Sequence, residues 1–284
     1  MALRPVRIAG VPEPYNLPWH LAMEKDAFEA AGIDLQWHTV HEGTGRMCRM
    51  LRDDELDMAV LVAEGAVCDI LNGGPIRVVS TFVDSPLPWG VHVPAHSDLH
   101  RPEDLQGVPY AISRSGSGSH IMAMLHAESL GWRPEERDME VVHNMTGAAA
   151  RMSKGSPIIF LWEQFVTARY VDAGVMRCVD VVRGDWPGFV IVAREDYIRE
   201  QAATMEEVLV LLAREVADLR TGPHVVELVM QNAGFSEERA REWLRQVKWE
   251  LGHADPASFA NLMEVLRELA LVPQEVRRDL VGDQ

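Results

Sequence analysis

Residues 58–82 read MAVLVAEGAVCDILNGGPIRVVSTF, a strand, a helix and a second strand joined by short turns. Met58–Val62 is a continuous apolar run that predicts a buried strand, and Ala66–Leu71 predicts a helix. The helix stops at the sequence Asn-Gly-Gly-Pro, and Arg77–Phe82 again reads as a strand. Two strands joined by a helix in this way favour a parallel βαβ unit, so the sequence predicts an α/β fold.

The same alternation continues on both sides of this stretch. Further strands are predicted at Val6–Val11, Ile33–Val40, Trp89–Val93, Val108–Ser113, Glu140–His143, Pro157–Leu161, Val179–Val182 and Phe189–Ala193. The predicted helices between them are Leu17–Ala31, Arg46–Asp53, a helical turn at Arg101–Gly107, Ser119–Gly131 and Glu163–Ala173. After Asp196 the whole chain is predicted to be helical, with Ser236 and Asp255 as N-caps of two of these helices.

This order predicts two lobes, with the chain crossing between them near Val91–Pro94 and Gly184–Phe189. The first lobe takes residues 1–91, the second takes residues 92–185, and residues 186–284 return to the first lobe as one strand and a helical tail. A cleft between two such lobes is the expected place for a ligand.

The composition excludes several classes of protein. The chain has 284 residues, and 47% of them are hydrophobic, which is enough for a folded core. No apolar run is long enough for a membrane helix. The net charge of −16 argues against nucleic acid and anionic membranes as partners. Three scattered cysteines and a first strand close to Met1 predict a cytoplasmic protein, periplasmic only if an export signal preceded this sequence.

Several segments resemble type II periplasmic binding proteins, in particular the sulfonate-binding and thiamine-pyrimidine-synthase-like group. The first are Arg7-Ile-Ala-Gly, the helix containing Glu24-Lys-Asp-Ala-Phe-Glu-Ala-Ala-Gly and the loop Glu42-Gly-Thr-Gly. A branch without export signals, from yeasts and bacteria, is more similar still, through residues 81–90, 113–120, 161–163 and 185–187. The resemblance implies two lobes, each a mixed sheet flanked by helices, with a ligand cleft between them and a helical C-terminal tail.

The loop from 113 to 120 is the first candidate binding site. A strand precedes it, a helix follows it, and small residues fill the turn, so unpaired N–H groups at the helix start would favour an anion. Arg114 could also bind an anion through two hydrogen bonds, and the helix dipole is expected to keep His120 neutral. The predicted ligand-binding residues of this loop are Ser113, Arg114, Ser115, Gly116, Ser117, Gly118, Ser119 and His120.

Other candidates follow the ends of predicted strands, where ligands of open α/β sheets bind. Thr44 and Gly45 precede a helix in the first lobe, with Thr44 as its expected N-cap; whether they cap the helix or bind the ligand is left open. Tryptophans near the lobe junctions would supply aromatic walls. These candidates are Glu13, Tyr15, Asn16, Thr44, Gly45, Glu64, Trp89, Trp162, Glu163 and Trp186.

The predicted function is binding of a small anionic or zwitterionic metabolite, in the manner of the solute-binding proteins of ABC transporters but in the cytoplasm. The alternative is an enzyme on the same scaffold in thiamine-pyrimidine or menaquinone-type biosynthesis. None of the three lysines, Lys25, Lys154 and Lys248, follows a predicted strand, which argues against transfer of the synthase chemistry. No catalytic residue and no cofactor are predicted. No metal site is predicted either, because His38 and His41 would lie on opposite faces of a strand. A homodimer is left open.

Overall fold

Strands from distant parts of the chain assemble into two sheets in the computed structural model, which describes residues 3–275 and 278–282. Each sheet belongs to a separate compact unit. Unit 1 takes its described residues from the segment up to Ser85, from Trp186–Glu264 and from Val272 onward. Unit 2 consists of Pro86–Asp185 together with Val265–Leu271.

The elements alternate between strand and helix for most of the chain. The strands are β1 (Arg4–Gly10), β2 (Ile33–Thr39), β3 (Met58–Val62), β4 (Ile76–Val83), β5 (Trp89–Pro94), β6 (Tyr110–Ile112), β7 (Met139–Val141), β8 (Ile159–Glu163), β9 (Met176–Val182), β10 (Phe189–Arg194) and β11 (Trp249–Gly252). The helices are α1 (Leu17–Glu24), α2 (Ala27–Ala30), α3 (Thr44–Arg52), α4 (Ala63–Leu71), α5 (Gly118–Ser129), α6 (Met145–Met152), α7 (Gln164–Asp172), α8 (Glu195–Thr221), α9 (Val225–Ala233), α10 (Glu237–Gln246) and α11 (Ala260–Glu268).

The sheet of unit 1 has the strand order β11-β4-β10-β3-β1-β2. Strand β1 is parallel to β2 and β3, whereas β10 is antiparallel to both β3 and β4. Phe189, the first residue of β10, pairs with Val62, the last residue of β3. The carboxyl ends of the parallel strands and the start of β10 therefore lie along one edge of the sheet, which we call the carboxyl edge of unit 1.

The sheet of unit 2 has the order β7-β6-β8-β5-β9, and β6 is parallel to both β7 and β8. Strand β5 runs antiparallel to β8, so that Trp89 at its start pairs with Glu163 at the end of β8. The ends of β6, β7 and β8 thus share an edge with the start of β5, the carboxyl edge of unit 2. Beneath this sheet, α6 packs on a buried cluster that includes Phe160 and Ile158.

The prediction of one helix over Leu17–Ala31 is wrong. The segment forms α1 and α2, which are separated at Asp26, whose φ of 53° lies in the left-handed region. The prediction that everything after Asp196 is helical is also wrong, since β11 adds an edge strand to β4. Burial of the Trp249 side chain holds this strand in place, and its indole N–H donates to the carbonyl of Tyr15 at 2.8 Å.

Helix α6 was not predicted from the sequence at all. Its N-cap is Asn144, whose side-chain oxygen accepts a hydrogen bond from the amide of Gly147 at 3.0 Å. Gly147 also packs closely against the preceding backbone, because a Cβ there would lie 1.9 Å from the carbonyl oxygen of Val142. The helix therefore needs a glycine at a position where a glycine ordinarily weakens helical propensity.

We expect Gly147→Ala to destabilise the protein by about 1–3 kcal/mol, because the added methyl group must displace backbone rather than a flexible side chain. Gly252→Ala is the matched control, since a Cβ at that exposed position meets nothing within 4 Å. Urea denaturation of both variants measures the difference. Equal free energies of unfolding for the two variants would show that the close approach at Val142 relaxes without cost.

Candidate functional site

Glu64 occupies the first turn of α4, directly after the end of β3, and its side chain is buried. The indole N–H of Trp186 donates to its Oε2 atom at 3.3 Å, while Oε1 is buried with no hydrogen-bond partner in the described part of the chain. Burial raises the pKa of this carboxyl from its ordinary value of 4.5 to about 7, against the opposing effects of its own amide and the Trp186 indole. The sequence placed both residues in the site, and the structure joins them.

Asn16 follows the end of β1 on the same carboxyl edge, and it is completely buried. Its Nδ2 group donates to the carbonyl of Val11 at 2.7 Å, which fixes the orientation of the amide. Its Oδ1 atom then has no partner within the described residues. Gly10 packs closely against the Asn16 amide, because a Cβ on Gly10 would lie 2.7 Å from both this Nδ2 atom and the ring of Trp37. The sequence did not predict that the ring of Trp37 packs against Gly10 at this edge.

The start of α3 supplies unused backbone donors to unit 1. Gly43, with a φ of 78°, is the N-cap, and Thr44 is the first helical residue, so the prediction that Thr44 caps this helix is wrong. Among the described residues, the amides of Thr44 and Gly45 have no acceptor. Thr44 also contacts α4, since a Cβ on Gly65 would lie 2.6 Å from its Cγ2 atom. The amino ends of two helices therefore meet beside Glu64.

Glu13 and Tyr15 lie at the same edge but have structural contacts. Glu13 is half-buried, and its carbonyl accepts the amide of Asn16 at 3.1 Å. Tyr15 was predicted to offer a stacking face to the ligand. Its ring instead packs among aromatic residues that the sequence did not connect with it, with centroids 5.0 Å from Phe189 and 5.2 Å from Trp243.

The 113–120 loop joins β6 to α5 at the carboxyl edge of unit 2, and its hydroxyl groups bond mainly to one another. Ser117 is the N-cap of α5 and donates to the carbonyl of Arg114 at 2.7 Å, and its Oγ lies 3.0 Å from that of Ser119. The Oγ of Ser119 in turn accepts the amide of Ser113 at 2.9 Å. Arg114 donates to the carbonyl of Ser115 at 3.1 Å. The serine side chains thus build the loop.

What this loop leaves unused are the first two amides of α5. In the described part of the chain, the N–H groups of Gly118 and Ser119 have no acceptor, whereas the amide of His120 is bound to the N-cap Ser117 at 3.3 Å. The loop therefore presents two free donors at the positive end of a twelve-residue helix. This is the arrangement at a helix start that binds anions.

His120 is half-buried in the first turn of α5 and has a defined tautomer. Its Nδ1 atom accepts the amide of Gly116 at 3.0 Å, so the ring proton is on Nε2. The pKa of His120 is lowered, as the sequence led us to expect, and burial of the ring lowers it. The neutral ring both closes the loop and leaves Nε2–H as a donor.

Trp89, Trp162 and Glu163 meet where β5 pairs with β8. The rings of Trp89 and Trp162 make an edge contact at 6.4 Å, and Trp162 stacks on Phe160 at 5.5 Å. Glu163 is buried, and its Oε2 atom accepts the amide of Val166 at 2.8 Å, which caps α7. Glu163 was predicted to begin this helix, but it is the last residue of β8 and the N-cap of α7.

The amino end of α6 is a feature of this edge that the sequence did not predict. It follows β7, the neighbour of β6, so that it lies at the same edge as the 113–120 loop. Asn144 already satisfies the amide of Gly147. The pattern Asn-x-x-Gly before three alanines is the signal that would have indicated this helix start.

Comparison with known proteins agrees with this architecture. Residues 89–182 match the sequence profile of the Ca3427-like PBP family, where PBP stands for periplasmic binding protein. The Candida albicans CA3427 gene product, described as having the generic periplasmic binding protein fold, superposes with a TM-score of 0.87 at 21% identity, covering 100% of this chain and 99% of that one. The chain has the type II periplasmic-binding-protein fold.

Two sulfonate-binding proteins share this periplasmic-binding-protein fold. The alkanesulfonate-binding protein SsuA from Xanthomonas axonopodis pv. citri, bound to MOPS, has a TM-score of 0.79 at 16% identity over 99% of this chain and 97% of that one. The aliphatic sulphonate binding protein SsuA from Escherichia coli has a TM-score of 0.74 at 16% identity, over 100% and 96%. No curated protein has significant sequence similarity to the chain.

Two of the three lysines of the chain form ion pairs with carboxylates. Lys25 of unit 1 bonds both oxygens of Glu215 at 2.7 and 2.8 Å, and Lys248 is paired with Asp84 at 2.8 Å. Over residues 3–275 and 278–282, no cluster of three or more histidine, cysteine or acidic side chains is arranged to hold a metal ion. In that same part of the chain, no helix combines the length and apolar character needed to cross a membrane.

Proposed function

We propose that this protein binds a small anionic or zwitterionic metabolite, as solute-binding proteins of the same fold do. One observation carries the proposal. At the carboxyl edge of each unit, a helix begins with two amides that have no acceptor among the described residues, Thr44 and Gly45 in unit 1 and Gly118 and Ser119 in unit 2. The cleft expected from the sequence stays a prediction.

The chemistry of these two helix starts favours an anion. Unsatisfied N–H groups and the helix dipole together attract carboxylate, sulfonate or phosphate. The protein as a whole carries a charge of −16, so its long-range field does not attract anions. Selection of an anion must therefore come from local donors, and the amides supply them without any cost in side-chain entropy. In unit 2, the hydroxyls of Ser113, Ser117 and Ser119 are bonded within the 113–120 loop and hold its amides in place.

The relatives of known structure support the same chemical class. Two of them are described as sulfonate-binding proteins, and one is described as bound to MOPS, a zwitterionic sulfonate. Identities of 16% support the shared fold, so the ligand of this chain has to be identified by experiment.

A thermal-shift screen tests the proposal. The panel contains ethanesulfonate, MOPS, acetate, propanoate and ethyl phosphate, each matched with an uncharged analogue such as ethanol, dimethyl sulfone or propanamide. A ligand at one hundred times its Kd stabilises the folded state by about 2.7 kcal/mol, which raises the Tm by several degrees. We expect at least one acid to raise the Tm while its uncharged analogue does not. If no acid raises the Tm at concentrations of tens of millimolar, the proposal is wrong.

A further inference from the structure

We propose that the metabolite carries an ammonium group, and that Glu64 and Asn16 of unit 1 are the acceptors for it; this inference rests on the proposed function and deepens it. The observation is a pair of unsatisfied buried oxygens. Oε1 of Glu64 and Oδ1 of Asn16 are both fully buried, and neither has a hydrogen-bond partner in the described residues. Buried acceptors without partners are uncommon in folded proteins, and they point to a donor that binds there.

The two acceptors belong to neighbouring strands. Asn16 follows β1 and Glu64 follows β3, and these strands are parallel partners with Ile8 opposite Met58. Because parallel neighbours lie about 4.8 Å apart, we expect the residues that follow their carboxyl ends to reach one small ligand. The free amides of α3 are close by, since Thr44 contacts Gly65 next to Glu64. Side-chain acceptors beside free amide donors suit a zwitterion, whose ammonium group binds the acceptors and whose acid group binds the amides.

The remaining contacts of each side chain decide that the ligand group is a donor. The amide nitrogen of Asn16 is bonded to the Val11 carbonyl, so its free atom is the carbonyl oxygen and needs an N–H or O–H group. The indole of Trp186 occupies the other oxygen of Glu64. An anionic group would satisfy only a protonated Glu64 and would leave Asn16 unpaired. An ammonium group has three donors, so it satisfies both oxygens and favours the ionised carboxyl.

Among the residues that the structure describes, no cationic side chain is bound to Glu64. Burial, its own amide and the Trp186 indole are the influences on its pKa, and no charged side chain is among them. Four arginines on the elements packed around α4 are paired with carboxylates other than Glu64, and the fifth, Arg49 of α3, is exposed to solvent. These pairs are Arg46 with Glu55, Arg52 with Asp69, Arg77 with Glu195 and Arg194 with Asp54. The place of the counter-ion is therefore open for a ligand.

Calorimetric titration with two probes that share one acid group tests the inference. The probes are 2-aminoethanesulfonate and 2-hydroxyethanesulfonate, which differ only in the ammonium group. We expect the wild-type protein to bind the amino probe at least about tenfold more tightly, because a charge-assisted hydrogen bond is lost with the hydroxyl probe. Glu64→Gln should abolish this preference, so that the variant binds the two probes with Kd values within about twofold of each other. Glu29→Gln, at an exposed position of α2, is the control for loss of one negative charge.

The outcomes separate the inference from the proposed function. Equal affinity of the wild-type protein for both probes overturns the ammonium site and leaves anion binding intact, and so does a preference that survives Glu64→Gln. If neither sulfonate binds, the pairs 3-aminopropanoate with 3-hydroxypropanoate and 2-aminoethyl phosphate with ethyl phosphate put the same question. Absence of binding in all three pairs overturns the proposed function and the inference together. The wild-type ratio decides alone if Glu64→Gln does not fold.

Discussion

Glu64→Gln is expected to make the protein more stable than the wild type at pH 8, by about 3 kcal/mol, although it alters a buried polar side chain. In the unfolded chain the carboxyl of Glu64 ionises near its ordinary pKa of 4.5, whereas in the folded protein burial raises this pKa to about 7. Between these two values the folded state holds a proton that the unfolded state has lost. The stability of the wild type therefore falls by roughly 1.4 kcal/mol per pH unit as the pH rises from 4.5 to 7, and it is constant above that interval.

Glutamine has no charge to bury, so the variant lacks this loss. The two proteins should have similar free energies of unfolding near pH 4.5 and should diverge up to pH 7. Urea denaturation at pH 5, 6, 7 and 8, in the absence of ligand, measures the gap. The difference between variant and wild type is the informative quantity, because the lowered pKa values of His92, His120 and His126 lower the stability of both proteins below pH 6.5. Glu29→Gln controls for net charge. A gap that does not change with pH, or that reverses, contradicts the burial of Glu64.

Gly118→Pro is expected to weaken anion binding about tenfold to a hundredfold relative to Gly118→Ala. Gly118 is the first residue of α5, where proline is well tolerated in helices, and the preceding Ser117 has the extended φ and ψ of −82° and 164° that proline requires. Proline removes the N–H group at this position and alanine keeps it. The loss of one hydrogen bond to a charged group is worth about 1.5–3 kcal/mol.

The comparison between the two Gly118 variants isolates the amide, because both add atoms at the same backbone position. Calorimetric titration of both variants with the acid that gives the largest thermal shift in the screen provides the two Kd values. Thermal melts of the ligand-free variants check that both are folded. Equal affinities of the proline and alanine variants would mean that the start of α5 does not contact the anion.

Local patterns were enough to predict much of the fold. The βαβ unit at 58–82 is present as β3, α4 and β4, and the strand Phe189–Ala193 is present as β10. Each of these segments carries its own signal, an apolar run or a terminating turn. The candidates chosen because they follow predicted strands, such as Asn16, Glu64 and the 113–120 loop, lie along the carboxyl edges of the two sheets.

The features that were missed depend on contacts between distant residues. Strand β11 follows α10 and forms only because β4 offers an edge and the indole of Trp249 finds the carbonyl of Tyr15. The ring of Tyr15 similarly has its packing partners in Phe189 and Trp243, far along the chain. Local sequence does not carry such information. Helix α6 is the exception, because its N-cap pattern, Asn144 followed by Gly147 and three alanines, is a local signal.

The candidate site shows the same limit. The position of Glu64 after a strand was visible in the sequence, but its unsatisfied oxygen and raised pKa follow from burial in the folded chain. In the 113–120 loop, the sequence suggested serine hydroxyls and Arg114 as ligand donors. The folded loop bonds the hydroxyls of Ser113, Ser117 and Ser119 internally, and the Arg114 guanidinium donates to the carbonyl of Ser115. The amides of Gly118 and Ser119 have no acceptor among the described residues. A sequence alone does not show which of several donors remains free.

Titration of the ¹⁵N-labelled protein with ethanesulfonate, followed in ¹H–¹⁵N correlation spectra, tests directly whether free helix-start amides bind an anion. The amide resonances of Thr44, Gly45, Gly118 and Ser119 are expected to shift as the anion is added, and all that shift should fit one Kd. Ethanol at the same concentration should leave them in place. If these four resonances stay where they are while the anion is bound elsewhere, or if no resonance moves, the account is contradicted.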